Sequence, residues 1–386
     1  MGNNALYVCP RCGNTDSRYF GVKNNQPYCR LCISFQGREV NNSYYVDDEE
    51  TSASLTYPLS PEQAKISTRL LENFKENKST LVHAVCGSGK TELVYQVVSY
   101  ALTQGLHVGF AVPRREVAID LFPRFISAFP KRKSVCVYGG HTDNLTGDII
   151  ILTTHQLYRY TNYFDLLILD EIDAFPFKDN RLLINLFKKS LKGSYILMSA
   201  TPPDDIVNDF KKNNLPILEL HTRYHRHALP EPINVIRIGY FKILYLVKKI
   251  KQYKKNKKPV LIFAPTIALA EEVYHLLRIF LKKGYFVHSK CINRKEIITD
   301  FKKHRYDYLV STSVLERGVT IKDIQVIIYN ADDSMYNKGV LIQIAGRAGR
   351  KIDAPTGDVI FLANKVSKSM KEAIHAIQLD NAYLTR

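Results

Sequence analysis

The stretch Ala84-Val85-Cys86-Gly87-Ser88-Gly89-Lys90-Thr91 decides the fold of this 386-residue chain. It follows an apolar run at residues 81–85 and precedes a stretch with helical character, which is the strand–loop–helix order of a phosphate-binding loop. In such a loop the backbone amides surround phosphate oxygens, the lysine reaches the β- and γ-phosphates, and the last hydroxyl binds Mg²⁺. The expected ligands of ATP and Mg²⁺ are Gly87, Ser88, Gly89, Lys90 and Thr91.

An acidic pair, Asp170-Glu171, ends the apolar run at residues 166–169, about 80 residues after the phosphate loop. Taken alone, such a pair is more often a strand end or a helix cap. Its spacing from the loop is that of a Walker A and Walker B pair, which favours a catalytic interpretation. We therefore expect Asp170 to bind magnesium and Glu171 to activate the attacking water.

Short apolar runs alternate with helical stretches through most of the chain, which indicates parallel sheets covered by helices on both faces. The predicted strands of the first half are residues 81–85, 107–112, 148–153, 166–170 and 195–199, and those of the second half are residues 260–264, 308–311, 324–329 and 358–362. The predicted fold class is α/β, with two tandem RecA-like domains and a small N-terminal four-cysteine zinc module. The predicted boundaries are 1–36 for the module, 37–56 for a polar linker, 57–225 for the ATP-binding domain and 226–386 for the second domain.

The composition agrees with a folded, basic protein. Apolar residues make up 45% of the chain, enough for packed cores, and 54 Lys and Arg against 37 Asp and Glu give 54 − 37 = +17. A polyanionic partner explains this charge, since each cation at a phosphate releases counterions, but ordinary solubilising charge explains it equally well, and an anionic membrane surface is a third alternative. The apolar runs are strand-length and the N-terminus lacks a secretory pattern, so we expect a cytoplasmic protein.

Four cysteines near the N-terminus form two C-x2-C pairs, Cys9 with Cys12 and Cys29 with Cys32. Residues 13–28 separate the pairs, a length that suits a β-ribbon between two metal knuckles. We predict a closed, structural Zn²⁺ site, with an iron–sulfur cluster or four free thiols as weaker alternatives. Basic and aromatic residues surround the cysteines, and either stacking of single-stranded bases or packing around the metal would account for them. They are Tyr7, Arg11, Arg18, Tyr19, Phe20, Lys23, Tyr28 and Arg30.

Two further motifs favour a motor over a kinase or a switch. Ser199-Ala200-Thr201 follows a predicted strand, where its hydroxyls can relay the state of the nucleotide. The stretch Gln343-Ile344-Ala345-Gly346-Arg347-Ala348-Gly349-Arg350 lies in the second half, and we expect Gln343, Arg347 and Arg350 to be catalytic. Two arginines three apart on one helix face are expected to reach across a cleft to the γ-phosphate, so that hydrolysis requires domain closure.

These motifs together resemble superfamily 2 helicases of the DEAD/DEAH type over residues 57–365. The resemblance implies that Gln63 reads adenine, that Gly318 contributes to the nucleotide site, and that several residues bind the sugar-phosphate backbone with little base specificity. In the first half these backbone-binding residues are Arg114, Arg115, Thr153 and Thr154. In the second half they are Pro265, Thr266, Ser311, Thr312 and Thr320.

Within superfamily 2, the four-cysteine module and Asp170-Glu171-Ile172-Asp173-Ala174-Phe175-Pro176-Phe177 are similar to the ComFA family of late competence ATPases. DEAD-box proteins have Ala-Asp after Asp-Glu, whereas this chain has Ile172-Asp173. The resemblance implies an ATP-driven motor stimulated by single-stranded DNA, working at the cytoplasmic side of the membrane and touching it only through the DNA-uptake channel. It also implies ComFC and DprA as partners, and it leaves the oligomeric state open.

Two other interpretations compete with this one. The first is another superfamily 2 motor, such as a PriA-like replication-restart helicase or an RNA helicase; the chain lacks the large accessory domain and metal-binding insertion expected of PriA. The second is a zinc-stabilised nucleic-acid clamp that uses ATP as a switch. The presence of Lys90, Asp170, Glu171, Arg347 and Arg350 favours hydrolysis over a switch.

Overall fold

A computed structural model describes residues 8–33, 35, 37–40, 44–174, 177, 180–288, 291, 293–312 and 321–385. Two predicted site residues, Gly318 and Thr320, lie outside the described residues, as do Tyr7 and the pair Phe175-Pro176. The chain divides into two compact units, Met1–Ala84 with Gly89–Leu220 and Val85–Ser88 with His221–Arg386.

The first unit begins with the four-cysteine module. A 3-10 helix (Ser17–Tyr19) leads into an antiparallel hairpin of β1 (Phe20–Lys23) and β2 (Gln26–Cys29). Asn24 and Asn25 form the two-residue turn with φ of 51° and 60°, as expected for a tight hairpin with two left-handed residues. The β-ribbon predicted between the two cysteine pairs is therefore present.

The rest of the first unit is a parallel sheet with helices on both faces. Its strands are β3 (Thr80–Ala84), β4 (Val108–Val112), β5 (Ser134–Val137), β6 (Ile149–Thr153), β7 (Phe164–Asp170), β8 (Leu191–Ser199) and β9 (Ile217–Leu220), in the order β5-β6-β4-β7-β8-β3-β9. The helices are α1 (Pro61–Lys75), α2 (Lys90–Leu93), α3 (Tyr95–Thr103), α4 (Arg115–Ala128), a 3-10 helix (Thr154–Arg159), α5 (Arg181–Ser190) and α6 (Asp204–Lys212).

Strand β7 shows why the apolar runs predicted this architecture. Leu166 and Ile168 belong to the core under α1, α3 and α4, whereas Leu167 and Leu169 belong to the core under α5 and α6. A strand buried on both faces needs apolar side chains at successive positions, which removes the usual alternation. Both faces of the strand are therefore occupied by core packing, which leaves its ends for polar residues such as Asp170.

Residues 44–56, predicted as a linker, contain no helix or strand but lie against the first unit. Arg132 is buried and donates hydrogen bonds to the backbone oxygen atoms of Asp47, at 2.6 Å, and Glu49, and to Oγ1 of Thr51 at 2.7 Å. Val46 is 1% exposed. The segment is held against the domain surface because one buried guanidinium group satisfies several of its polar atoms.

The second unit is also a parallel α/β sheet. Its strands are β10 (Pro232–Ile236), β11 (Val260–Phe263), β12 (Gly284–Val287), β13 (Tyr308–Ser311), β14 (Gln325–Tyr329) and β15 (Val359–Ala363), in the order β10-β15-β14-β11-β13-β12. Its helices are α7 (Phe241–Lys255), α8 (Ile267–Phe280), α9 (Arg294–Lys302), α10 (Lys338–Ala345), α11 (Lys368–Ala382) and a terminal 3-10 helix (Tyr383–Thr385). Both sheets confirm the predicted RecA-like α/β class, and all nine predicted strands are present within a few residues of their predicted ends.

The longest helices among the described residues have 15 residues. None of them has the length and apolar content needed to cross a bilayer.

Candidate nucleotide site and cysteine centre

The phosphate loop joins β3 to α2 through two residues with left-handed backbone conformations. Gly87 has φ of 85° and Gly89, the N-cap of α2, has φ of 75°. Glycine is the residue that adopts this region without steric cost. The two glycines therefore allow a sharp turn into the helix, at whose start Thr91 is buried.

Gln63 lies beside this loop. Its backbone N–H donates to Ser60 Oγ at 3.2 Å, and its Oε1 accepts a hydrogen bond from the Ser60 N–H at 2.8 Å, which is a capping box at the start of α1. A Cβ atom added to Gly89 would lie 2.6 Å from Gln63 Nε2. The cap thus fixes the side chain predicted to read adenine next to the loop predicted to bind phosphate.

Asp170 ends β7 as a buried carboxyl group, 8% exposed. Burial raises the pKa of Asp170 to about 6, the positive charge of Lys90 opposes that rise, and the negative charge of Glu171 adds to it. A buried carboxylate with a nearby lysine and the Thr91 hydroxyl provides the hard oxygen ligands that Mg²⁺ prefers. These residues fit a magnesium ion, which would hold the β- and γ-phosphate charge in place.

Glu171 has φ of 56°, an uncommon conformation for a residue with a side chain. Its backbone N–H donates to Asp170 Oδ1 at 2.8 Å. Backbone strain of this kind concentrates at functional sites, where the surrounding structure maintains it. The backbone of Glu171 therefore holds the Asp170 carboxyl group at the end of the strand.

Asp173 was not among the predicted site residues, but it connects two strand ends. Its two carboxylate oxygen atoms accept hydrogen bonds from Ser199 Oγ at 2.6 Å and from Thr201 Oγ1 at 2.9 Å. Ser199 ends β8, the strand beside β7, so this contact links the acidic motif to the Ser-Ala-Thr motif. The available sequence signal was its position, since Asp173 follows the acidic pair by two residues and the Ser-Ala-Thr motif follows another strand of the same predicted sheet.

The predicted strand-contacting residues of the first unit have different surroundings. Arg114 is the N-cap residue of α4, and the Arg115 guanidinium carbon lies 4.9 Å from the centre of the Tyr138 ring. Thr153 ends β6 and Thr154 begins the 3-10 helix, and both are buried. The half-buried residue of this helix is His155, which follows them.

In the second unit the predicted motifs that contain Pro265-Thr266 and Ser311-Thr312 lie together at the carboxyl ends of neighbouring strands. β11 and β13 are neighbours, and the Ala264 N–H donates to the Ser311 carbonyl at 2.8 Å, so Pro265 and Thr312 follow adjacent strand ends. Thr266 Oγ1 accepts from the Leu269 N–H at 3.2 Å and caps α8. The two motifs are together, although the Thr266 hydroxyl already has a structural role.

The expectation that Arg347 and Arg350 share a helix face is wrong. α10 ends at Ala345, and the arginines lie in the turns beyond it, where Gly349 has φ of 63°. Gln343 is buried within α10, Arg347 is buried after it, and Arg350 Nε donates to the Gly346 carbonyl at 2.8 Å. The glycines end the helix, so backbone turns instead of helical spacing set the directions of both guanidinium groups.

Arg223 supports that turn, and sequence reasoning missed it because its basic, histidine-rich neighbourhood at residues 222–232 is also typical of a domain boundary. The residue is 1% exposed, and its guanidinium group donates to the carbonyls of Ala348, at 3.1 Å, and Gly349. Burial, and secondarily the charge of Arg350, lower the pKa of Arg223 to about 10, so it remains a cation at neutral pH. The arginine turn is therefore held by a third, buried arginine.

The four predicted metal ligands converge in the module. All four sulfur atoms lie within 4.8 Å of one another and all four residues are buried. The Sγ atoms of Cys9 and Cys32 are 3.6 Å apart and those of Cys12 and Cys29 are 3.7 Å apart. Four sulfur atoms about 2.3 Å from a central Zn²⁺ in a tetrahedron would be about 3.8 Å from one another, whereas a disulfide requires about 2.05 Å.

The environment of the sulfur atoms also suits a metal. Burial raises the pKa of the Cys12 thiol to about 12 and raises that of Cys32 still further. A cation is therefore needed to keep them as thiolates at neutral pH. The residues fit a zinc ion, with Asn14 Nδ2 at 3.8 Å from Cys29 Sγ as an outer-shell donor.

Several basic and aromatic side chains of the module already have partners. Arg18 pairs with Asp16 at 2.6 Å, Arg11 pairs with Glu39 at 3.2 Å, and the ring of Tyr28 packs over Gly21. These contacts account for Arg11, Arg18 and Tyr28 by local ion pairs and packing.

The fold and the site define the class. Two RecA-like units, a phosphate loop, a buried Asp170 near Lys90 and an acidic motif linked to Ser199 and Thr201 are the parts of an ATP-hydrolysing superfamily 2 helicase or translocase.

Comparisons with known proteins agree. The family of the helicase conserved C-terminal domain matches residues 242–351, and the family of the type III restriction enzyme res subunit matches residues 56–204. The structure of Saccharomyces cerevisiae Dbp5 bound to RNA and ADP BeF3 has a TM-score of 0.60 at 19% identity, covering 84% of this chain and 92% of that one. At this identity the likeness shows a shared fold alone.

The chain is also similar to competence proteins over nearly its whole length. It is 35% identical to competence protein ComFA of Bacillus subtilis, over 96% of this chain and 85% of that protein. It is 34% identical to ComFA of Streptococcus pneumoniae, over 97% of this chain and 90% of that protein. The chain belongs to the ComFA family.

Proposed function

We propose that this chain is an ATP-driven translocase for single-stranded DNA that helps to move transforming DNA into the cell during natural competence. Its membership of the ComFA family and its helicase architecture support this role. The observation that carries the proposal is the contact of Asp173 with Ser199 and Thr201, because it joins the nucleotide site at β7 to the end of β8. A hydrolytic cycle at Asp170 can then change the conformation of a neighbouring motif.

Nucleic acid is the proposed polyanionic partner. The net charge of +17 favours binding through phosphate groups, which implies strong salt dependence and little sequence preference. The proposed contacts in the first unit are Arg114, Arg115, Thr153 and Thr154. Those in the second unit are Pro265, Thr266, Ser311, Thr312 and Thr320. The proposed place of work is the cytoplasmic face of the membrane beside the uptake channel, with ComFC and DprA as partners.

We also propose that Arg347 and Arg350 stabilise the charge that develops on the γ-phosphate, with Gln343 as part of the same catalytic group and Gly318 contributing to nucleotide binding. Arg350→Ala is expected to reduce the turnover number by about 10³-fold or more, as for other arginine fingers, with little change in ATP affinity. Arg305→Ala is the matched control, since Arg305 lies in the same unit and forms an exposed pair with Asp300 at 2.9 Å. Equal turnover in the two variants would exclude the proposed role.

The central experiment measures ATP turnover with single-stranded DNA, single-stranded RNA and duplex DNA of matched length, at several salt concentrations. Single-stranded DNA is expected to stimulate turnover most, and the stimulation is expected to fall as salt rises. Lys90→Ala serves as the catalytic control, because it leaves the β- and γ-phosphate charge unpaired and is expected to abolish turnover. Equal stimulation by RNA would contradict the competence role while leaving the motor intact, and no turnover with any polymer would indicate an ATP switch.

A further inference from the structure

The four-cysteine module contacts the element that carries Thr154. The 3-10 helix Thr154–Arg159 lies between the core of the first unit and the segment that follows the cysteines, residues 35 and 37–40. The rings of Phe35 and His155 are stacked, with centroids 6.1 Å apart and an interplanar angle of 24°, and the Phe35 ring also lies 5.4 Å from that of Tyr158. Phe35 therefore contacts two residues that are one turn apart on this helix.

Arg159 makes a second connection. Its Nε donates to Gln156 Oε1 at 2.7 Å, within the helix, and its NH1 group donates to the Arg38 carbonyl at 2.7 Å, across to the module. The Val40 N–H donates to the Arg159 carbonyl at 2.8 Å, and Val40 forms a parallel bridge with Tyr160. The C-terminal end of the helix is therefore connected to the backbone of Arg38 and Val40, in the segment that directly follows the module.

The module is also continuous with the domain core. Its four cysteines pack in the same hydrophobic cluster as Leu157 and Tyr158, and the Arg11 guanidinium group lies 5.9 Å from the Tyr158 ring centre. Lys189 Nζ, on α5, donates to the Arg11 carbonyl at 3.2 Å. A module held at this many points has one position relative to the helix, which an appendage on a flexible tether would lack.

We propose that the four-cysteine module is a positioning element for nucleic-acid binding: through Phe35 and residues 37–40 it fixes the Thr154–Arg159 helix in the conformation that contacts the strand. This inference rests on the proposed function, because it takes that helix as part of the nucleic-acid site. Phe35 is a positioning residue, since it acts through His155 and Tyr158. The metal then sets how strongly the motor responds to its strand, with no part in ATP chemistry.

The first test replaces Phe35 in the full chain. Phe35→Ala is expected to keep its zinc and to keep ATP turnover without nucleic acid within about twofold of the wild type. It is expected to raise the concentration of an oligo(dT) needed for half-maximal stimulation by roughly 3- to 10-fold, the size of a lost aromatic pair. Phe35→Tyr is expected to restore it. Ile33→Ala, two positions away and 52% exposed, is the matched control and is expected to change nothing.

A second variant disturbs the same contact by adding atoms. Gly37 has φ of 148°, and a Cβ atom there would lie 2.7 Å from the Tyr158 hydroxyl and 2.8 Å from both terminal nitrogen atoms of Arg159. Alanine is strained at this φ, and its Cβ atom would also displace the ends of the Tyr158 and Arg159 side chains. Gly37→Ala is therefore expected to change the backbone between Phe35 and Val40 and so disturb the contact with the helix, while every cysteine and aromatic residue is retained. It is expected to reproduce the weakened DNA response of Phe35→Ala.

Hydrogen exchange distinguishes failure of the proposed positioning role from failure of the proposed function. In both variants without nucleic acid, backbone amides of Thr154–Arg159 are expected to exchange faster than in the wild type, whereas those of β4 remain protected. If the wild type itself shows no stimulation by DNA, the proposed function fails, but the exchange result still tests the docking. Faster exchange with an unchanged DNA response in either variant overturns the positioning role. If the Thr154–Arg159 amides exchange at the wild-type rate in both variants, the module does not fix this helix and the positioning role is also overturned.

Discussion

Substituting Gly89 by alanine tests the geometry of the phosphate loop most directly. Gly89 has φ of 75°, and the left-handed region costs a residue with a Cβ atom about 1–2 kcal/mol. The added Cβ atom would also lie 2.6 Å from Gln63 Nε2, so the amide at the end of that side chain must move. Both effects oppose the loop conformation that receives phosphate.

The size of the effect on ATP follows from this cost. If the substituted loop relaxes out of the left-handed conformation, ATP must restore it on binding, and the apparent affinity falls by the population of the competent state. A cost of about 1–2 kcal/mol corresponds to roughly a 5- to 30-fold rise in the KM for ATP. Displacing Gln63 is expected in addition to reduce the preference for ATP over GTP.

The assay is steady-state ATP turnover without nucleic acid, together with the free energy of unfolding in denaturant. Gly239→Ala is the matched control: Gly239 has φ of 52°, and a Cβ atom there would meet no heavy atom within 4 Å. Both variants are expected to lose about the same unfolding free energy, and Gly89→Ala alone is expected to bind ATP more weakly. Equal KM values for Gly89→Ala and the wild type would refute the argued role of the loop conformation.

Three further predictions concern separate parts of the chain. Asp173→Ala removes the acceptor of two hydroxyl groups, so it is expected to cost about 1–3 kcal/mol of unfolding free energy and to reduce stimulation by DNA more than basal turnover; equal loss of both rates would contradict the relay. Cys29→Ser is expected to release the metal and unfold the module while hydrolysis without DNA largely survives, as measured by bound zinc and ATP turnover. Burial raises the pKa of Asp165, but hydrogen bonds from His107 outweigh it and lower the pKa to about 2, so this carboxylate stabilises the fold above its ordinary pKa of about 4. Its contribution is expected to be lost as the pH falls from about 4 to about 2, and the stability difference between the wild type and Asp165→Asn should shrink over that range.

The sequence predicted the central strands well and the edges poorly, for a physical reason. Strands such as β7 and β14 are buried on both faces, so their apolar runs are unbroken and visible. The strands β10 and β12 lie at the two edges of their sheet, with exposed Ile233 and Tyr285, and their mixed patterns gave no comparable signal. Because an edge strand has a neighbour on one side only, it is more exposed and its apolar pattern is weaker.

The candidate site divides in the same way. Residues that follow a strand, such as Lys90 and Asp170, could be placed from local sequence because a parallel sheet brings its carboxyl ends together. The contact of Phe35 with His155 joins residues far apart in the chain, and no local pattern specifies such a pair. The turn at Arg347 and Arg350 was mispredicted because the two glycines near them outweighed the helical spacing.

The proposed coupling depends on rigidity at one end of the first sheet. The proposed nucleotide site lies at the end of β7, and β4 alone lies between β7 and β6, which carries Thr153 into the 3-10 helix. A displacement at Asp170 can change the contact with nucleic acid only if the helix after β6 moves with it. Close-packed elements transmit such a displacement, whereas loosely packed elements dissipate it. The module, held by Phe35, Arg38 and Val40, supplies that rigidity from the outer side of the helix. On this reasoning the module and the nucleotide site both act on the helix after β6, and a chain without the docked module would still hydrolyse ATP but respond weakly to DNA.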